Sequence, residues 1–196
     1  MAIVNRRDSI LEAAAREFAL VGLAGGRIER IAASACVNKQ LIFHYFRSKN
    51  GLYSAVVLAA VSRSRFPPGP HASPPDALRA TIQSISQSLE SDQMLVAAIV
   101  DGAVRAGVPD DARVAVSGWV AESTRKIAEI VTEGQRQGYF RDDIWPGTVA
   151  EVVVNESVGC AIRRVVHGSA VSAETAELSG IKTPVYDWVV DYCAWR

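Results

Sequence analysis

The apolar positions of this chain recur with the period of a helix along most of its length. Ile10, Leu11, Ala14 and Phe18 share one face, which predicts a helix over residues 7–21 with Gly22 as its stop. Ile28, Ile31, Ala32 and Ala35 then repeat at i, i+3, i+4, i+7. A tight break at Ala35-Cys36-Val37 follows. Asn38 supplies an N-cap oxygen, and a short second helix runs to Tyr45 or Phe46 on the anchors Leu41, Ile42 and Phe46. This is a helix-turn-helix pattern, a weak signal alone because many small helical domains contain one. Ser48 is placed to cap a further helix that starts near Lys49 and carries Leu52, Tyr53, Val56, Val57 and Ala60 towards Arg65.

Residues 66–76, FPPGPHASPPD, interrupt this pattern with five prolines that no helix interior accepts. They predict a loop of partial polyproline character. Beyond it, Asp76 is expected to cap a helix with Leu78, Ile82, Ile85 and Leu89, ending near Ser91. Asp92 caps the next, which carries Met94, Leu95, Ala98, Ile99 and Val104 and closes at Gly107. Pro109 sits early in a long helix with Val116, Trp119, Val120, Ile127, Ile130 and Val131, ending at Gly138. Residues 139–144 read as a turn with a docked aromatic, and Pro146 opens a helix over about 147–166. Residues 168–182 carry no clear pattern, and Pro184 opens a last helix with Val185, Trp188, Val189, Tyr192 and Trp195. Nothing alternates with period two for long enough to make a sheet, so the expected class is all-α. The expected division is 1–48 as a helix-turn-helix module, 49–66 as a connecting helix, 67–75 as a proline-rich loop and 76–196 as a helical body.

Composition changes this picture little. At 49% apolar and 21% charged, the 196 residues suit a globular fold. No apolar run of membrane-spanning length and no signal peptide is apparent, so a cytoplasmic protein is expected. Three scattered cysteines, Cys36, Cys160 and Cys193, suggest neither a disulfide framework nor a zinc site. Charge adds more. Residues 1–66 hold ten basic and four acidic side chains, a balance of +6, which the remainder offsets to reach zero overall. A basic amino-terminal module fits a protein that presents one end to a polyanion; a chance fluctuation of surface charge is the alternative.

Catalysis has no constellation to rest on: there is no GxSxG, HExxH or phosphate-binding glycine loop. His167 reads as a capping residue at a helix end, Cys160 and Cys193 as inert core thiols, and Asp142-Asp143 as a solvated turn or cap. Neither a cofactor nor a metal is expected. On the second helix of the motif, Lys39 has the chemistry to donate to guanine O6/N7 and Gln40 to pair with adenine N6/N7. Lys49 and Arg27, each at the start of a helix, are placed for phosphate, although Arg27 is equally readable as a flexible surface arginine. Arg6 and Arg7 either reach phosphates or are solvated.

ILEAAAREFALVG (residues 10–22) followed by RIERIAASACVNKQLIFHYFRSKNGLY (27–53) resembles the TetR family of bacterial one-component repressors, with Phe18, Gly22, Ile31-Ala32, Phe46 and Lys49 in ungapped register. EGQRQGYFRDD resembles the family's junction between its seventh and eighth helices. The resemblance implies that Lys39, Gln40 and Phe43 face base edges and that Arg27, His44, Tyr45 and Lys49 hold phosphates; for Phe43 and Tyr45 the alternative is core packing. It further implies a homodimer on a palindromic DNA operator, paired through its last two helices, with Val152, Val153, Glu156, Cys160, Arg163, Trp188, Tyr192 and Trp195 as interface candidates. An unidentified apolar or amphipathic effector is implied in the body, where Met94, Trp119, Ser123 and Ile127 are candidate lining residues, with Asn155 or Cys160 opposite. Three departures stand out: Gly26 replaces the usual hydroxyl residue, Cys36 the usual glycine, and Phe43 the usual tyrosine. The expected function is a ligand-released repressor. A ligand-insensitive architectural or activating DNA-binder is the alternative, with a helical adaptor that no longer binds DNA as a third reading.

Overall fold

The computed structural model describes residues 5–64, 66, 71–104, 107–167 and 185–194; of 104, 167 and 185–188 it describes the backbone. The helices are α1 (Arg6–Gly25), α2 (Ile28–Ser34), α3 (Lys39–Phe46), α4 (Lys49–Arg63), α5 (Pro74–Ser91), α6 (Gln93–Val104), α7 (Asp110–Arg136), α8 (Pro146–His167) and α9 (Val185–Cys193). Among the described residues the extended backbone amounts to one isolated bridge between Phe140 and Ala194. The chain is therefore all-α, as its periodicity predicts.

Gly22 does break α1, but the chain does not leave the helix there. Its φ of 68° and ψ of 179° make a kink, and one further helical turn runs to Gly25. Asn5 caps α1 by accepting from the Arg7 amide at 3.1 Å. α2 ends in a Schellman motif: the Cys36 amide donates to Ala33 O (3.2 Å) and the Val37 amide to Ala32 O (3.0 Å). That geometry needs a left-handed residue, and Cys36 supplies it at φ 53°. Asn38 then caps α3, its Oδ1 accepting from the Leu41 amide at 2.8 Å. Ser48 caps α4 through the Gly51 amide at 3.0 Å.

Two caps differ from expectation. α5 starts at Pro74, and its cap is Ser73 rather than Asp76: the Asp76 amide donates to Ser73 Oγ (3.3 Å), and that hydroxyl donates to the Asp76 carboxylate (2.6 Å). The prolines at the first two helical positions lack amides that would in any case be unbonded there. α4 ends at Arg63, two residues short of Arg65.

The described residues form two compact units. The first joins the residues up to Arg63 with Asp92–Gly118. The stretch 92–118, expected within the carboxy-terminal body, thus clusters with the amino-terminal helices, because α6 packs on α1 and α4. Its core holds Ile10, Phe18, Ile31, Ile42, Leu52, Val57 and Leu95, all fully buried. Phe18 meets Tyr53 edge to face at 5.2 Å. Asp92 fastens both helices it touches: Oδ1 accepts from the Met94 amide (3.1 Å) to cap α6, and Oδ2 accepts from Arg63 Nε (3.1 Å) at the end of α4.

The second unit holds Ser64–Ser91 and the residues from Trp119 onward. α5 packs on α8, and α9 lies against both. Gln135 Nε2 donates to the carbonyls of Arg141 (2.9 Å) and Ile144 (2.8 Å), which folds the turn after α7 back on the helix. Phe140 is the docked aromatic; it is fully buried against Gly134, where a Cβ would lie 2.1 Å from the ring. Cys193 is buried, and burial pushes its thiol up to about 11, as suits an inert core cysteine. Cys160 is not such a residue. It is half exposed, and its Sγ lies 3.4 Å from Glu156 and 3.1 Å from Arg163.

Two substitutions test these local arguments. Gly134→Ala should lower stability by roughly 1–3 kcal/mol, because the Phe140 ring must leave its seat, and thermal unfolding would show it. Cys36→Gly should raise the unfolding temperature with a gain of up to about 1 kcal/mol, by removing a left-handed side chain; a lower temperature would contradict the strain argument.

Candidate nucleic-acid interface

α3 is a helix with two unlike faces. Ile42 and Phe46 are buried and fix it to the core. Gln40, Phe43 and His44 lie exposed away from that stripe, and Lys39 is exposed in the first turn, on the same side as Phe46 but at the other end of the helix. Tyr45 falls on the far flank of the buried stripe. Phe43 is 40% and Tyr45 42% exposed, so neither belongs to the core. His44 lies edge to face with Tyr45 at 5.5 Å, and the Arg7 guanidinium sits 5.5 Å from the Phe46 ring, at the start of α1. A depression of about 770 Å³ runs along the motif, lined by Arg6, Ala33, Cys36, Asn38, Gln40 and His44 among others.

Two of the expected cations have partners within the chain. Lys39 Nζ donates to the Glu29 carboxylate at 3.1 Å, an exposed pair of the kind that contributes little. The backbone hydrogen bond at Glu29 and the Lys39 contact hold that carboxyl below its ordinary value. Lys49 Nζ donates to Ala24 O at 3.1 Å, tying the start of α4 to the end of α1 while leaving two of its three protons for another acceptor. Arg27 is the N-cap of α2 and makes no side-chain cap, as expected of a helix preceded by Gly25-Gly26.

The N-cap residue of α2 is held from α1 instead. Glu17 of α1 accepts from the Arg27 amide at 2.9 Å and from Arg30 Nε at 2.8 Å. Burial alone would raise the Glu17 carboxyl, but the bonds from Arg30 and Arg27 outweigh it and hold it below the ordinary value. Gly26 is glycine for a reason of space: a Cβ there would lie 2.5 Å from the Phe18 ring. A hydroxyl side chain at this position would collide with the aromatic that anchors α1.

The sequence reading also misses a buried acid. Asp101 of α6 is 3% exposed. Its Oδ2 accepts from the Leu23 amide (3.1 Å) and from the Tyr53 hydroxyl (3.0 Å). The signal was present in the sequence as a lone carboxylate inside the apolar run from Met94 to Val104. Such a charge must find donors if it is buried.

The remaining expected residues fall in several places. Trp119, Ser123 and Ile127 are buried along one line of α7. Trp119 Nε1 donates to Ser64 Oγ at 2.7 Å, and Ser123 Oγ to Trp119 O at 2.8 Å. Met94 is a core residue of the first unit, so it does not share a unit with these three. Asn155 is exposed on α8 and so does not face an enclosed space. A cavity of about 480 Å³ in the second unit is lined by other residues, among them Phe66, His71, Thr81, Lys126 and Glu133. On α8, Val152 is 46% exposed, Arg163 is exposed and Glu156 is half exposed, whereas Val153 is fully buried in its own chain. Because Val153 is already covered by its own chain, the expectation that it meets a partner is corrected. Tyr192 is half exposed; the Trp188 side chain and Trp195 lie outside the described residues. Among those residues no group of three or more His, Cys, Asp or Glu is placed to hold a metal, and no helix is long and apolar enough to cross a membrane.

Comparison with known proteins agrees with this geometry. The model of the family described as "Bacterial regulatory proteins, tetR family" matches residues 10–56. The "HTH-type transcriptional repressor SCO4008" of Streptomyces coelicolor is 54% identical over 48 residues, a match spanning 24% of this chain and 25% of that protein. The "HTH-type transcriptional repressor NicS" of Pseudomonas putida is 30% identical over 142 residues, 70% of this chain and 67% of that one. In three dimensions a TetR transcriptional regulator from Chloroflexus aurantiacus superposes with a TM-score of 0.75 at 21% identity, covering 95% of this chain and 93% of its own. With an exposed reading face on α3 and similarity that continues well beyond the helix-turn-helix, the chain belongs to the TetR family of bacterial regulatory proteins.

Proposed function

We propose that the protein is a DNA-binding transcriptional repressor, not an enzyme, that reads double-stranded DNA with α3. The observation that carries this is the exposure of Gln40, Phe43 and His44, with Lys39 exposed in the first turn, on a helix locked to the core by Ile42 and Phe46. Lys39 and Gln40 contact base edges in the major groove, with Phe43 against an apolar base edge such as a thymine methyl. Arg27, His44, Tyr45 and Lys49 hold the phosphates on either side. Lys39 exchanges Glu29 for DNA on binding, a small cost for an exposed pair. Two relatives carry the name of transcriptional repressor, which favours repression over an architectural role.

A palindromic operator requires two reading heads, and the exposed face of α8 is the proposed seat of a homodimer. Val152, Glu156, Cys160, Arg163 and Val166 follow one another at spacings of three and four along it, with Val152 and Val166 exposed and apolar. Tyr192 of α9 contributes from the terminal helix. A small apolar or amphipathic effector completes the proposal, and the cavity lined by Phe66, Thr81 and Ile130 among others supports it. The protein acts in the cytoplasm, where the DNA is.

Lys39→Ala combined with Tyr45→Ala should lower affinity for a duplex selected by the wild-type protein roughly 10- to 100-fold, and should flatten the salt dependence by about one phosphate contact. Fluorescence anisotropy over a range of salt concentrations measures both, and unchanged specific binding would refute α3 as the reading helix. Val152→Asp should shift the protein from dimer to monomer in sedimentation equilibrium, since a carboxylate buried without a partner is strongly disfavoured. A variant that stays dimeric would move the interface elsewhere.

A further inference from the structure

The corner between α1 and α2 is held from outside the motif. At Gly22 the backbone turns through φ 68° and ψ 179°, which removes the Leu23 amide from the regular helical ladder. Five neighbouring groups bond to the residues of this corner. The Gly26 amide closes on Gly22 O at 3.1 Å. Lys49 donates to Ala24 O and Arg30 to Gly25 O, at 3.1 and 3.3 Å. Glu17 takes the Arg27 amide. The fifth group is Asp101, whose carboxylate takes the Leu23 amide and, on the same oxygen, the Tyr53 hydroxyl. Four of these five groups belong to the helices of the motif and α4. Asp101 alone comes from 78 residues further along the chain.

Position 22 fits the carboxylate as closely as it fits its own conformation. A Cβ on Gly22 would stand 3.1 and 3.3 Å from the two Asp101 oxygens. The carboxylate therefore packs directly on the bare face of the kink. Three helices meet at one oxygen atom: α1 through Leu23, α4 through Tyr53, and α6 through Asp101 itself. Because α2 begins three residues after the kink helix ends, the direction of Leu23–Gly25 sets where α2 starts. α2 in turn packs on α3.

We propose that Asp101 is a positioning residue for DNA recognition: its carboxylate, docked on the Gly22 kink and bonded to Leu23 and Tyr53, fixes the attitude of the reading helix without touching DNA. The inference rests on the DNA-binding reading above and adds to it a residue outside the reading head that governs specificity. Positioning and phosphate attraction are separable, since base contacts specify while phosphate contacts mainly supply affinity. Loss of Asp101 should therefore degrade discrimination between sequences and leave the non-specific component in place.

The test uses the full-length chain and a duplex that the wild-type protein enriches from a randomised pool, beside an unrelated duplex of equal length. Asp101→Ala should weaken binding to the enriched duplex about tenfold or more while changing binding to the unrelated one less than about twofold. In the DNA-free protein, amide exchange should accelerate across residues 22–30 and stay unchanged in α8. Asp101→Asn keeps an oxygen acceptor in the same place and should recover most of the lost discrimination, a rescue that a role in bulk stability would not give. Tyr53→Phe, which deletes one donor with the ring retained, should produce a smaller loss of the same kind; it decides the matter should Asp101→Ala fail to fold. The proposal is overturned if discrimination is unchanged in these variants, or if both duplexes weaken in parallel with global unfolding. If the wild-type protein enriches no sequence, the DNA-binding reading falls and this inference with it; enrichment with an indifferent Asp101 would sink the inference alone.

Discussion

A buried carboxylate at the end of an apolar helix has to be answered by donors, and the way Asp101 is answered organises the first unit. An unpaired charge there would cost several kcal/mol, so the fold that forms is one that brings an amide and a hydroxyl to it. A regular helix would leave no free amide at Leu23. The kink at Gly22 creates one, and glycine permits both the left-handed backbone and the close approach of the carboxylate. Tyr53 completes the set from α4, and the same ring packs edge to face on Phe18. One residue on α6 thus explains why a glycine follows Phe18 by four positions, why α1 runs past it, and why α4 presents a tyrosine rather than a phenylalanine.

The helix-turn-helix rests on the same corner but solves its own local problems. Its turn is a Schellman motif whose left-handed position is filled by a cysteine, a choice that carries strain without breaking the motif. The residue before the N-cap of its first helix is bare because the Phe18 ring occupies the space over Gly26. The amide of the N-cap itself, Arg27, is taken by Glu17, which Arg30 also holds.

Most of the helices were legible in the sequence because each is amphipathic and each cap is local. Asn38, Ser48 and Asp92 act on amides two or three residues away, so spacing alone reveals them. Phe43 and Tyr45 were ambiguous, since an aromatic at helical spacing fits a core as well as a reading face, and only the position of the buried stripe on Ile42 and Phe46 decides between the two. Ser73 was passed over in favour of Asp76 because both are good capping residues and the two prolines between them are permitted on either side of a helix start. What the sequence could not reveal is action across the chain. Glu17 reaches Arg27 over ten residues and Asp101 reaches Leu23 over 78, and no periodicity records such pairs.

The same limit explains the domain boundary. The proline-rich segment after α4 is a conspicuous break in the helical pattern of the sequence, and it invites a division between reading head and body at that point. Packing follows burial instead, and the apolar face of α6 is buried against α1 and α4. Both ends of α6 are tied to those helices by acids, Asp92 to Arg63 and Asp101 to Leu23 and Tyr53. The reading head is therefore not a self-contained group of three helices with a connector. Its geometry includes a helix that lies beyond the loop, and any change in the position of α6 has to break or carry along hydrogen bonds that end on the first turn before α2.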